Sequence, residues 1–360
     1  MKKMIVFFAL CTYSLMTLCH IKSITKRLEV GEYACITHPC AMPGDAAQYV
    51  QEFHDVYILG EGRIITPAGA LVSLGYTYDH TPIIPADIIF KEQDGTVAIF
   101  SALFQHSWYH WLIELLPRLY VLQKSGLDYD YIYVYSAAHA YMASIQMQSL
   151  CAVLDYLGIP RNKVLLVDEG VCLHAKKVLR PSFPYLFNSF ETITSTCPLW
   201  VRDFLQDVFL PSNNYKQEKG GYNPCIYVSR SDAGKRLIAN EATLMGMLAG
   251  YGFKMIVLSE YEPHQQAAIF NQASVIIAQH GGGLTNVVFC KPGTKILELD
   301  LKRIKKRVHF ELLSGFFGLE FRKFEVGVIT QNWNDLQHDN DDIVVDVDEF
   351  EKCLKEFLKN

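Results

Sequence analysis

The chain has 360 residues, of which 50% are hydrophobic and 20% charged, enough apolar side chain for two cores of ordinary size. Its 33 basic and 38 acidic side chains leave a formal net charge of −5, so no uniform positive field is available for a phosphate backbone, and nucleic acid is excluded as a partner. Ten cysteines are scattered without a CxxC pair, which argues against a zinc site or a disulfide scaffold and for buried free thiols, with a lone Cys35–Cys40 bridge as the alternative.

Met1-Lys2-Lys3 precedes an apolar run from Met4 to Cys19, with His20, Lys22, Lys26 and Arg27 behind it. A basic start before an apolar stretch has the form of a secretory signal or short membrane anchor. The run is shorter than the roughly 20 residues of a comfortable span, and no small-x-small cleavage site follows. Membrane association through residues 4–19, or entry to the secretory pathway, goes with the first reading, and a cytoplasmic protein with a buried first element goes with the other.

From Tyr57 to Phe100 the runs VYIL, RIIT, IIF and VAIF alternate with Gly60, Gly62, Pro67, Gly69, Pro82, Pro85 and Gly95 and predict a small antiparallel meander, a β-rich preamble. Trp108, Trp111, Leu112, Leu115, Leu116, Leu119 and Leu122 then recur at helical spacing, with Pro117 expected to bend or start a helix. YIYVYS reads as a strand, 142–157 as a helix, 163–167 as a strand, followed by a loop-rich passage to Pro184 and a helix over 199–209. Such alternation implies a mostly parallel sheet covered on both faces.

The polar, turn-rich PSNNYKQEKGGYNP, 211–224, is the best linker in the chain. Behind it CIYVSR, FKMIVL, SVIIAQ and KILELD read as strands, with helices over 240–250, 263–272 and 284–289 between them, a doubly wound domain of nucleotide-binding type. The acidic passage 334–348 leads into an amphipathic helix over 347–358, of a kind that can pack back across the first domain.

The strongest local feature is SVIIAQHGGGLTNVVF, 274–289: a buried strand, His280, then Gly281, Gly282 and Gly283, with a helix opening at Leu284. Adjacent glycines let the backbone approach a ligand, and the helix start offers unpaired N–H groups, a geometry suited to a diphosphate. Thr285 and Asn286 add a hydroxyl and an amide in the first turn, and a purely structural turn is the bland alternative. HGGG also matches the oxyanion-hole segment of lipases and esterases, but those need a G-x-S-x-G elbow and this chain has none.

Ser229, Arg230, Ser231, Lys235, Arg236, Asn240 and Glu241 follow the first strand of the same domain. Cationic side chains just past a strand's carboxyl end suit a pyrophosphate, with a solvated basic turn as the alternative. Glu298, at the end of the strand in PGTKILEL, can accept both ribose hydroxyls or sit in an ordinary strand-end salt bridge.

The segments HSWYHWLIELLPRLYVL (106–122), IYVSRSDAGKRLIANE (226–241) and YEPHQQAAIFNQASVIIAQHGGGLTNVVFCKPGTKILEL (261–299) occur in the order and spacing of glycosyltransferase family 61, and the chain resembles that family. The resemblance implies an α/β GT-B-like architecture of two Rossmann-type domains facing a central cleft, a nucleotide-sugar donor, inversion at the anomeric carbon, and no required cofactor or metal ion. It divides the chain into a possible leader, 1–25, an acceptor-side α/β domain, 26–210, the linker, a nucleotide-sugar-binding domain, 225–330, and an acidic loop with a helix, 331–360. Gln279 and Gly282 depart from the family pattern without removing a reactive side chain.

Inverting transfer needs a base at the acceptor hydroxyl and charge stabilisation at the departing diphosphate. Glu114, the acid of the HWLIELLPRL block, is the candidate base, a salt bridge to Arg118 being its structural alternative. His110 and His106 lie one and two turns earlier, a spacing that also admits zinc. His280 is a second candidate base or a diphosphate contact. Arg230, Lys235, Arg236 and the backbone of Gly281–Gly283 are assigned to the leaving group, with Ser229, Leu284, Thr285, Asn286 and Glu298 completing the donor site. Lys302, Arg303, Lys305, Lys306 and Arg307 form a basic run for an anionic acceptor or lipid surface, or a solvated face. The acceptor is a glycan, lipid or protein, and a non-catalytic sugar-nucleotide or glycan-binding protein is the alternative function.

Overall fold

The computed structural model describes residues 30–31, 35–43, 48–72, 88–102, 104–136, 145–184, 197–210, 224–301, 308–328 and 342–359. The apolar run 4–19, the linker residues 211–223 and the basic run 302–307 lie outside them. Among the described residues no helix is long and apolar enough to cross a membrane, and all eight cysteines there, Cys35 and Cys40 included, are free thiols. The fold is mixed α/β, in two compact units, one drawn from residues 1–106, 114–143 and 154–194 and the other from 107–113, 144–153 and 195–360.

The first unit contains β1 (Val30–Gly31), β2 (Ile36–Cys40), β3 (Gln48–Leu59), β4 (Arg63–Ile65), β5 (Leu71–Val72), β6 (Ile89–Ile99), α1 (Leu116–Ser125), β7 (Tyr131–Tyr135), the end of α2 (Ile145–Leu157), β8 (Val164–Val167) and β9 (Val171–Pro181). The strands make one sheet in the order β1-β5-β4-β3-β9-β6-β7-β8, with β2 also on β3. The β9-β6-β7-β8 half is parallel, as is the short β1–β5 pair at the other edge, and β3 runs antiparallel to β2, β4 and β9. The expected mostly parallel sheet is therefore a mixed one, and the expected meander ends at β5, because β6 leaves it to pair with β9. The cause is β9 itself. It lies in the passage read as loop, where His174, Lys176 and Lys177 break the apolar pattern, yet it pairs with β3 on one edge and β6 on the other, and Val178 and Leu179 are wholly buried.

A helical segment begins at Trp108, widens into a π-helical stretch over His110–Leu115, and continues as α1 to Gly126, whose left-handed φ of 67° ends it. Pro117 sits in the first turn of α1. The helix already runs from Trp108, so the proline marks the change from π-helical to α-helical winding rather than the start of a helix.

The second unit adds α3 (Leu199–Phe209), β10 (Cys225–Ser229), α4 (Glu241–Ala249), β11 (Lys254–Val257), α5 (Pro263–Gln272), β12 (Val275–Gln279), β13 (Lys295–Leu301), α6 (His309–Phe316), β14 (Glu320–Val328), β15 (Ile343–Val344) and α7 (Val347–Lys359). Its sheet runs β11-β10-β12-β13-β14-β15, parallel except for the last pair. Counted from β10, the parallel strands stand in the doubly wound order 2-1-3-4-5, so the direction of winding reverses between β10 and β12. Phe350, Leu354 and Phe357 of α7 join Tyr227, Leu244 and Leu297 in this unit's own core.

Candidate functional site

In an open parallel sheet, ligands bind beyond the carboxyl ends of the strands where the winding reverses. The two loops at that point are the ones leaving β10 and β12, and they carry the arginines and the glycine run. Arg230 follows β10 directly, and its guanidinium lies so close over Gly281 that a Cβ on that residue would collide with Nη1. Arg236 stands in the left-handed region at φ 58°, a conformation that side chains rarely adopt without support. The support is visible: Arg236 Nη1 donates to the His280 carbonyl at 3.0 Å, and Gln279 Nε2 donates to the Arg236 carbonyl at 2.7 Å. The loop after β10 is thereby tied to the loop after β12.

Burial, reinforced by the neighbouring Arg236 charge, lowers Arg230 to about 10, and burial lowers Arg236 as well. Arg230 remains a cation at neutral pH. The Nε atoms of both arginines are buried and without a hydrogen-bond partner among the described residues. Unsatisfied buried N–H groups on cations are costly, and an anion between the loops would offset that cost through charge-assisted bonds. Lys235 is exposed in the same turn.

The other expected donor-site residues are placed differently. Leu284, Thr285 and Asn286 are fully buried within a 3-10 helix over Gly282–Phe289. Asn286 accepts from Trp108 Nε1 at 3.2 Å and donates to Gln266 Oε1 at 3.0 Å, so its amide braces the loop from beneath. Trp108 also limits position 282, where a Cβ would stand 3.2 Å from its own Cβ, and Leu258 limits position 283 at 3.0 Å. Ser229, 3% exposed, donates to Glu241 Oε1 at 2.8 Å, and the Tyr227 hydroxyl donates to the same oxygen at 2.7 Å.

Glu298 is 1% exposed, with Oε1 2.6 Å from His280 Nδ1 and Oε2 3.2 Å from Lys323 Nζ. Both oxygens are engaged, so neither is presented to ribose hydroxyls. Asp300 lies two residues along β13, on the same face, and Lys323 stands directly across from Glu298 in the parallel register with β14. Among the described residues, His280, Glu298 and Asp300 are the group of potential ligands whose atoms fall within 4.8 Å of one another. The Lys323 ammonium, 3.2 and 3.3 Å from the two carboxylates, already supplies positive charge there.

Glu114 belongs to the first unit and is 1% exposed. Arg118, one turn on, donates to the carbonyls of Pro181, Phe100 and Ser101 and lies over the Phe183 ring. His106 is an exposed turn residue that precedes the helix, which removes the shared helical face assumed for a zinc site, and His110 belongs to the second unit. Sequence reasoning missed Trp108, Gln266, Asp300 and Lys323. Asp300 was the accessible one, since two-residue spacing from Glu298 on a strand puts both carboxylates on one face, whereas Lys323 depended on an unknown register.

Residues 108–297, more than half of the chain, match the family model described as Glycosyltransferase 61. The chain belongs to glycosyltransferase family 61. A stretch of 57 residues is 40% identical to Beta-1,2-xylosyltransferase RCN11 of Oryza sativa subsp. japonica, and one of 65 residues is 38% identical to Beta-1,2-xylosyltransferase of Arabidopsis thaliana. These stretches cover 16% and 18% of this chain and 10% and 12% of the two relatives, so the chain matches only about a tenth of the length of either.

Proposed function

We propose that the chain is a glycosyltransferase that takes a nucleoside-diphosphate sugar and transfers the sugar, with inversion and without a metal ion, to a glycan, lipid or protein acceptor. The observation that carries this reading is the pair of arginines over the glycine loop at the reversal point of a doubly wound sheet. There the diphosphate lies between the β10 and β12 loops, and Arg230, Arg236, Lys235 and the backbone N–H groups of Gly281–Gly283 stabilise the charge that develops on it as the glycosidic bond breaks. Glu114 or His280 takes the proton of the attacking hydroxyl.

The remainder of the proposal is a GT-B arrangement, with 225–330 as the donor domain and 26–210 on the acceptor side. The two plant relatives are named for xylosyl transfer, so a nucleotide pentose is the first donor to try. The test is turnover of a nucleotide-sugar panel, with and without EDTA, by the wild type, Glu114→Gln and Arg230→Ala. Loss of donor affinity in Arg230→Ala and of turnover in Glu114→Gln is the expected result. Full turnover by both variants would remove both assignments, and nucleotide binding with no turnover of any donor would mean a binding protein.

A further inference from the structure

The donor reading leaves Glu298, Asp300 and Lys323 without a task. These three charged side chains are drawn from β13 and β14 behind the loop that carries His280, the two carboxylates buried and Lys323 half-buried. Burying two carboxylates is expensive unless their geometry satisfies them, and here both face the half-buried Lys323 ammonium while one of them also meets an imidazole. His280 is fixed on nearly every side. Its backbone N–H donates to the Leu299 carbonyl at 2.9 Å, its carbonyl accepts from Arg236, Nδ1 faces Glu298 Oε1 at 2.6 Å, and the ring packs edge-on to Phe310 at 5.1 Å. Nε2, across the ring from Nδ1, makes no hydrogen bond among the described residues and is not among the buried atoms.

We propose that Glu298 is a positioning residue: paired with Lys323, it holds His280 with the proton on Nδ1, so that Nε2 accepts a hydrogen bond from a substrate hydroxyl. Burial pushes His280 down to about 3, against the attraction of Asp300 and with Arg236, His309 and Lys323 adding to the effect, so at neutral pH the ring carries one proton. The site of that proton follows from its neighbours. Burial raises Glu298, but the Lys323 ammonium on Oε2 works in the opposite direction and favours the carboxylate, and a carboxylate opposite Nδ1 requires N–H there. An imidazole in that state has no proton to give a diphosphate through Nε2. Of the two roles open to His280 in the sequence, hydroxyl acceptance fits and diphosphate donation does not. The tautomer rests on the ion pair of Glu298 with Lys323 and its contact with Nδ1, and only the identity of the hydroxyl rests on the donor-site reading.

The test is long-range 1H–15N correlation of the imidazoles in the labelled full chain from pH 6 to 8, with His280 assigned by its absence from His280→Gln. A neutral ring protonated at Nδ1 is expected. In Glu298→Gln the ammonium of Lys323 keeps the amide oxygen on its own side and turns the NH2 toward Nδ1, so the proton should move to Nε2. Turnover should fall ten- to a hundredfold, with the dissociation constant of the nucleoside diphosphate within twofold of wild type. An Nε2-protonated ring in the wild type, or an unchanged tautomer in folded Glu298→Gln, overturns the proposal. A shift of both ring nitrogens on adding one equivalent of Zn2+ does so too, since it would make the cluster a metal site. If Glu298→Gln does not fold, the wild-type spectrum decides. An inverted tautomer in a protein that binds no nucleotide would leave Glu298 in its role and remove the donor-site reading, whereas nucleotide binding with a wild-type Nε2–H would do the reverse.

Discussion

At Gly281 the demand for glycine comes from an arginine. The atom a Cβ would strike is the far end of the Arg230 side chain rather than backbone, so Gly281→Ala should displace the guanidinium and leave the sheet intact. Unfolding stability should then stay close to wild type, because a cation that burial already holds near 10 loses little by moving toward water. Affinity for a nucleoside diphosphate should fall by about tenfold or more, the scale of a hydrogen bond to a charged group at roughly 1.5–3 kcal/mol. Arg230→Ala should show the same loss, and the double variant should lose no more than either single one, since both remove one interaction. Titration calorimetry on the four proteins checks the cycle. Additive losses would mean that Gly281 and Arg230 act separately.

At the scale of the element, α7 shows what helical spacing specifies. Phe350, Leu354 and Phe357 fall on one face, and Phe350 is wholly buried, edge-on to the Phe324 ring of β14 at 5.0 Å. Phe350→Ala should cost about 3–5 kcal/mol, read as a lower urea midpoint for the transition of the second unit. A cost under 1 kcal/mol would mean that the helix does not hold that core. Its bounds were legible because an exposed polar face and a buried apolar face repeat over three turns. Four strands of the second unit, β10 to β13, were legible for a related reason, as short, mostly apolar runs bounded by turns, whereas β14, in which Arg322, Lys323 and Glu325 interrupt the apolar residues, was not. β9 was not, because a strand whose two faces meet different surroundings carries His174 and Lys177 beside Val178, and the pattern dissolves. The π-helical stretch over His110–Leu115 was also hidden, since one wider turn barely alters apolar spacing. The glycine loop and the arginines were visible as residue types, but which side chains turn inward was not. Thr285 and Asn286 look like ligands in one dimension and are buried beneath the loop, and Glu298 looks exposed at a strand end and is covered by β14.

For the whole molecule, the division into two units confines the expected effect of a donor. A ligand that binds only the folded second unit, present at about a hundred times its dissociation constant, should stabilise that unit by about 2.7 kcal/mol. Linkage extends the effect to the first unit only as far as the two unfold together. Hydrogen exchange on the full chain with a saturating nucleoside diphosphate separates the cases. Protection confined to β10, β12, β13 and the loops at Arg230–Arg236 and His280–Gly283 would mean that the donor is held by the second unit alone and that its folding is independently linked to the ligand. Equal added protection across β3, β6 and β9 would mean one cooperative molecule, in which binding in the second unit stabilises the first. Unchanged exchange in the β10 and β12 loops, with protection only in the first unit, would remove the diphosphate from the reversal point and with it the proposed donor site.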